Sequence, residues 1–234
     1  MPLSTIPVIN PATNQEIARF EPTPPDQVTH MIQSVHQRYL DWKKTSLEER
    51  RQLCQRLGEV LRKNKEAYAQ LMTEEMGKVL SEARAEVDKC ARLADYYAQE
   101  APRFLALEPI ATEAQKSYVA FRPLGVVLAV MPWNFPFWQV LRFAIPAILA
   151  GNTALLKHAS NVPGCSQTLE AIFLEAGFPE STFRSLLIKG SEVAQVIGHP
   201  LVKAVTLTGS TPAGKAVAQK AGEMLQNCFF EHFS

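Results

Sequence analysis

The sequence predicts an α/β protein, built as a Rossmann-type parallel sheet with N-terminal helices packed on it. Three observations predict it. From residue 124 onward, short apolar runs alternate with helix-length segments, the pattern of strands joined by right-handed crossovers. Before residue 102, apolar residues recur at spacings of three and four, the period of helices. The chain has 234 residues, of which 47% are hydrophobic, enough for a real core.

Residues 1–22 are rich in proline and short of periodicity, and read as an extended lead-in. A helix begins at Pro24-Pro25-Asp26, with Val28, Met31, Ile32, Val35 and Tyr39 on one face. Ser46 followed by Glu49 reads as a capping box for a second helix, whose stripe is Leu53, Leu57, Val60 and Leu61. Gly77 closes a third helix. A fourth runs from Ser81 to about Glu100, with Val87, Cys90, Ala91, Ala94 and Tyr97 on one side. Pro102 and Pro109 are expected to break the helical run. Ser117 to Arg122 then alternates like a half-buried strand.

Four parallel strands are predicted, at about Val126–Val130, Thr153–Lys157, Arg184–Ile188 and Ala204–Leu207. The helices between them fall at about Phe135–Ala150, Val162–Glu175 and Ser191–Ile197, and a last helix begins near Thr211. No strand is expected after Gln226, and this loss would leave apolar surface uncovered.

The formal net charge is +1, from 24 basic and 23 acidic residues, which offers no footprint for nucleic acid or a membrane surface. Cys54, Cys90, Cys165 and Cys228 show no metal-ligand spacing and read as reduced thiols. No signal peptide is read at the N-terminus. The apolar stretches Leu124–Met131 and Phe143–Gly151 are too short to span a bilayer, so a cytoplasmic protein is expected.

Three segments carry chemistry. Met131-Pro132-Trp133-Asn134-Phe135-Pro136 follows an apolar strand and precedes a helix, the place where an open α/β sheet builds its site. Asn134 offers an amide able to donate to a developing oxyanion, or is a turn residue bonded to its own backbone. Trp133 and Phe135 line a cleft or fill core. Lys157 ends the strand that follows Gly151-Asn152 and is either on the ligand side of the sheet or a solvated strand end. Gly209-Ser210-Thr211-Pro212-Ala213-Gly214 joins a strand to a helix. There Gly209 permits a tight turn, and the free amides with the Ser210 hydroxyl can hold a pyrophosphate. It is not the Gly-x-Gly-x-x-Gly fingerprint, and Pro132-Trp133-Asn134 stands where an unrelated Rossmann-like reductase has its glycine-rich turn.

In this order these motifs resemble the aldehyde dehydrogenase superfamily, and within it the succinate-semialdehyde-like branch, from about Asn10-Pro11-Ala12-Thr13 to about Leu225. The resemblance implies oxidation of a small-molecule aldehyde to its acid with NAD or NADP. It makes Asn134 an oxyanion-hole donor and Lys157 a ligand of the adenosine ribose hydroxyls. It adds Met131, Pro132, Trp133, Gly190, Gly209 and Ser210 to the cofactor site. Many NAD-using relatives carry Glu where this chain has Ser160. Loss of that charge removes repulsion of a 2′-phosphate, so NADP is tolerated or preferred. His158 stands where relatives often have Pro and is assigned no catalytic role. The 110–124 region resembles a hairpin used in subunit contact, which implies a homo-oligomer.

The resemblance divides the chain into an N-terminal NAD(P)-binding domain, 1–225, and an unmatched tail, 226–234. The family's Glu base, in Glu-Leu-Gly-Gly, and its Cys nucleophile, in Gly-Gln-x-Cys, are expected to be absent with the rest of the catalytic domain. Cys228, Glu231 and His232 in the tail are given no catalytic role, and Cys165 is read as helix packing. Two readings stay open: the N-terminal portion of an enzyme, or a non-catalytic dinucleotide-binding fragment or decayed gene product.

Overall fold

The computed structural model describes residues 5–232. The lead-in is not featureless, since β1 (Ile6–Asn10) and β2 (Gln15–Phe20) form an antiparallel hairpin. Its turn is closed by the Asn10 side chain, which accepts from Ala12 N–H at 2.9 Å, and by Asn14 in the left-handed region at φ 57°. Only Val8 of this ribbon is buried, which is why no period-two alternation marks it in the sequence.

The helices follow their apolar stripes. Helix α1 (Pro25–Trp42) starts on a proline whose missing N–H costs nothing there, and buries Ile32, Val35 and Trp42. Helix α2 (Leu47–Lys63) is capped by Ser46, which accepts from Glu49 N–H at 3.1 Å. Helix α3 (Lys65–Met76) stops at Gly77, whose φ of 77° suits glycine. Helix α4 (Leu80–Phe104) is longer than the prolines suggested, because it runs through Pro102. A proline frees the carbonyl four residues earlier, here that of Ala98. Arg51 of α2 donates to that carbonyl at 2.5 Å, so the helix loses a bond but leaves no orphan acceptor.

The strand expected over 117–122 shrinks to a two-residue ladder, β3 (Glu108–Pro109) against β4 (Tyr118–Val119). All four residues are exposed, so no buried face extends the pairing.

The main sheet contains β5 (Val126–Met131), β6 (Thr153–His158), β7 (Phe183–Ser185), β8 (Val202–Gly209) and β9 (Asn227–His232). They are parallel, in the order β7-β6-β5-β8-β9. Between them lie α5 (Trp138–Leu149), α6 (Pro163–Glu175), a 3₁₀ turn at Gly190–Glu192, α7 (Val193–Ile197) and α8 (Thr211–Glu223). Strand β7 ends at Ser185 and does not reach Ile188, because Leu187 turns to the lead-in of α1. Thr23 N–H donates to the Leu187 carbonyl at 2.9 Å, and Leu187 N–H to Thr23 Oγ1 at 3.0 Å.

Strand β9 corrects a larger expectation. Residues 227–232 pair with β8 over Ala204 to Gly209 and complete the sheet where no strand was expected. The core has two parts, one on each face. One packs α2 to α6 against Ala129, Ala154 and Leu156. The other packs α1, α7 and α8 against Val126, Leu128, Val205 and Leu207. The chain leaves β5 for β6 on one side and later returns to β8 on the other. The carboxyl ends of β5 and β8 therefore flank a topological switch point, where open α/β sheets bind ligands.

Candidate active site

Register sets which residues meet. Val130 lies opposite Lys157 on one side and Leu207 on the other, and Leu207 lies opposite Phe230. One residue further along, Met131 lies opposite His158, and Thr208 opposite Glu231. Because alternate residues of a strand point to opposite faces, the two rows serve opposite sides of the sheet.

The first row opens on a cavity of about 220 Å³ between the sheet and helices α7 and α8. Lys157 and Gly190 line it, with Val130, Val193, Leu207, Ala213 and Val217. Largely apolar walls with two lysines, Lys157 and Lys220, suit a flat ring that carries hydroxyl or phosphate oxygens at its edge. Burial lowers the Lys157 pKa, the mark of an ammonium held partly out of water. Lys157 is part-buried in the cavity wall rather than fully exposed to solvent. Gly190 has no heavy atom within 4 Å of where a Cβ would stand, so the wall is open there.

Gly209 ends β8, and Ser210 is the N-cap of α8. The Ser210 side chain makes no capping bond and is exposed, so its hydroxyl and the first amides of α8 stay uncommitted. Pro212 sits in the first turn, where it removes no helical bond. Ser160 lies exposed just beyond Lys157. Gly209, Ser210 and Ser160 are at the sheet's carboxyl end but are not part of the cavity wall.

The second row faces a cavity of about 570 Å³ under α5. Met131 lines it, as do Thr206, Thr208, Gln139, Arg142, Phe143 and Glu231. Met131 is thus on the face opposite Lys157, so the structure does not gather all the expected cofactor residues in one cavity. Arg142 forms an ion pair with Glu231 and a hydrogen bond to Gln139 Oε1 at 3.0 Å. Neither Glu231 nor Arg142 was picked out as functional in the sequence. No period-two alternation marks Asn227 to Phe230, so the sequence carries no clear signal for the strand that places Glu231.

The loop between β5 and α5 joins the two sides. Trp133 is 50% exposed, while Pro132 and Asn134 are half-buried. Asn134 Oδ1 is buried without a hydrogen-bond partner, so this side chain does not bond its own turn. The loop backbone is held from below. The Lys78 ammonium donates to the Asn134 carbonyl at 3.0 Å, is ion-paired to Glu86, and sits 3.7 Å from the centre of the Phe135 ring. Glu86 Oε1 accepts from the N–H groups of Phe137 and Trp138, each at 2.9 Å.

His158 is buried beneath the same loop. Its Nδ1 lies 2.9 Å from Ala159 N–H and 3.3 Å from the Met131 carbonyl; the shorter contact fits a proton on Nε2, which then donates to the Pro136 carbonyl at 2.9 Å. Burial, with the nearby Lys157 charge, holds its pKa down at about 4.

Three of the four cysteines are buried structural thiols, and Cys228 is exposed. Cys54, Cys90 and Cys165 are buried, and burial pushes their thiol pKa values up. At Cys165 the Glu75 carboxylate adds to this, since it accepts both the Gly164 and Cys165 amides at 2.7 and 2.8 Å. Among the described residues no group of His, Cys, Asp and Glu could hold a metal ion, and no helix is long and apolar enough to cross a membrane.

Comparison with known proteins gives a consistent result. The family model described as the aldehyde dehydrogenase family matches residues 2–232. The chain is 42% identical to succinate semialdehyde dehydrogenase [NAD(P)+] Sad of Escherichia coli (strain K12), over 95% of this chain and 48% of that protein. It is 42% identical to a probable succinate-semialdehyde dehydrogenase [NADP(+)] of Synechocystis sp. (strain ATCC 27184 / PCC 6803 / Kazusa), over 97% of this chain and 50% of the relative. The crystal structure of succinic semialdehyde dehydrogenase from Streptococcus pyogenes, in complex with NADP+, superposes with a TM-score of 0.94 at 37% identity. That superposition covers 97% of this chain and 50% of the other. The chain therefore spans about half the length of the relatives it matches.

Proposed function

The chain belongs to the aldehyde dehydrogenase family, and we propose that it is the dinucleotide-holding part of an enzyme that oxidises a semialdehyde, of the succinate-semialdehyde type, to the acid. The observation that carries the reading is the half-buried Lys157 ammonium in an apolar cavity at the switch point of the sheet. Apolar walls from Val130, Val193 and Val217 suit an adenine ring, and Lys157 suits the ribose hydroxyls beside it. The uncommitted Ser210 hydroxyl and the first α8 amides suit the pyrophosphate. NAD or NADP would supply the hydride acceptor. Ser160 puts no carboxylate after Lys157, which favours tolerance of, or preference for, a 2′-phosphate.

Asn134 lies in the loop between β5 and α5, and its buried Oδ1 has no hydrogen-bond partner. An amide so placed donates to an aldehyde oxygen as it gains negative charge. On the other face, Glu231 stands at the carboxyl end of β9, ion-paired to Arg142. The cysteine nucleophile is not among the buried thiols of this chain. The exposed Tyr118, Val119 and Phe121 around β4 suit contact with a second copy. A non-catalytic dinucleotide-binding module is the second reading, favoured by the burial of Cys54, Cys90 and Cys165 away from any site.

Thermal unfolding of the purified chain with increasing NADP, and then NAD, tests the reading. A ligand bound only by the native state raises the midpoint as its concentration rises. A rise with NADP that Lys157→Met abolishes is expected. A cooperative transition that answers to neither dinucleotide overturns the reading.

A further inference from the structure

His158 lies one residue past Lys157, on the opposite face of β6, and does no work in the scheme above. Its geometry is nonetheless specific. A buried imidazole holds Ala159 N–H through Nδ1 and the Pro136 carbonyl through Nε2, both at 2.9 Å. Pro136 lies two residues after Asn134. The Lys78 ammonium and the Glu86 carboxylate hold the other fixed points of this loop, at Asn134 O and at the amides of Phe137 and Trp138. Without His158 the Pro136 carbonyl, a buried acceptor, has no donor, and the middle of the loop has no anchor on the sheet.

We propose that His158 is a positioning residue for Asn134: its Nε2–H ties the Pro136 carbonyl to β6 and fixes the loop so that the Asn134 amide faces the reacting oxygen. The statement about the reacting oxygen rests on the proposed function; the statement about the loop does not. The device needs a side chain that accepts next to the backbone and donates at a distance, which the neutral Nε2–H imidazole does in a fixed plane. A proline at this position supplies neither bond. In this chain the loop is therefore secured by a side chain from a neighbouring strand.

Three variants separate positioning from core filling. In His158→Gln the side-chain N–H₂ occupies about the place of Nε2 and keeps a donor for Pro136. In His158→Asn the side-chain oxygen replaces Nδ1 only. His158→Leu keeps neither. Amide hydrogen exchange of Phe137 and Trp138, and the side-chain amide resonance of Asn134, are measured on the whole chain without nucleotide or aldehyde, with the α6 amides of Ile172 and Phe173 as reference. A chain that binds no dinucleotide thus still answers. Expected are an approximately tenfold faster exchange of Phe137 and Trp138 in the Leu and Asn variants, a shifted Asn134 resonance, unchanged α6 exchange, and recovery of both loop signals in the Gln variant. An unmoved Asn134 resonance, equal acceleration in α6, or a Gln variant that behaves like Leu overturns the proposal.

Discussion

Lys78 and Glu86 form a buried ion pair whose side chains are 6% and 1% exposed, and each partner also holds backbone of the Asn134 loop. A charge pair taken out of water is costly unless its remaining hydrogen-bond capacity is used. Here it is used: Glu86 accepts two amides, and Lys78 donates to a carbonyl and packs on an aromatic face.

Breaking this pair from one side leaves a buried charge. Lys78→Met or Glu86→Gln is expected to cost about 3 kcal/mol each. The double variant is expected to cost less than their sum, since it leaves no lone charge. Urea unfolding of the three variants measures this. Strict additivity would show that the pair is not coupled.

The acid limb of stability should carry a His158 component. Its pKa is about 4 in the folded chain against 6.5 when free. The unfolded chain therefore binds the proton first, and the contribution is full above pH 6.5 and is lost as pH falls toward 4. It amounts to at most about 3 kcal/mol. Glu75 and Glu170, whose pKa values burial raises, work in the opposite direction over the acid range. The quantity to measure is thus the difference between the parent and His158→Gln in urea unfolding at several pH values. A difference that does not change between pH 7 and 4.5 would refute it.

Gly151 stands at φ 96°, and a Cβ there would meet Arg50 Nη1 at 2.4 Å and Pro123 Cγ at 3.3 Å. Arg50 is itself 9% exposed and has little room to move. Gly151→Ala combines left-handed strain with displacement of a guanidinium, and about 2 kcal/mol of destabilisation is expected. Thermal or urea unfolding checks it. A loss below about 0.5 kcal/mol, the range of ordinary surface changes, would show that Arg50 yields freely.

Selectivity for the 2′-phosphate should sit at Ser160. Ser160→Glu brings a carboxylate beside Lys157 and repels a phosphate there. The NADP dissociation constant is expected to rise about tenfold, or about 1.4 kcal/mol, with little change for NAD. Titration of both dinucleotides by thermal shift or calorimetry reads the ratio. An equal loss for both would place the effect on the ribose and not on the phosphate.

The helices and the inner strands were legible because burial imposes a period. Val28, Met31, Ile32 and Val35 mark α1, and the run Val126–Val130 marks a strand buried on both faces. The β1–β2 hairpin was not legible, since it buries only Val8 and its turn depends on Asn10 and Asn14. Helix α4 passed through Pro102 because Arg51, distant in sequence, takes the freed carbonyl. Strand β9 was missed because Asn227 to His232 matched no expected motif, although its pairing with β8 is regular. The roles of His158, Glu86 and Lys78 could not be read at all. Their partners are backbone groups of other elements, and backbone acceptors leave no trace in a sequence.

The strand order also sets a timetable. Central strand β5 pairs with β6 across α5, but its other neighbour, β8, is reached only after two further strand-and-helix connections. Helices α2 to α4 pack together with short loops and can assemble early, whereas the β5–β8 seam waits for a long loop to close. In refolding, far-ultraviolet dichroism should thus recover ahead of the protection of β8 amides from hydrogen exchange. A newly made chain keeps one flank of β5 unpaired until β8 has been synthesised, an interval in which that edge is open to a chaperone or to another nascent strand.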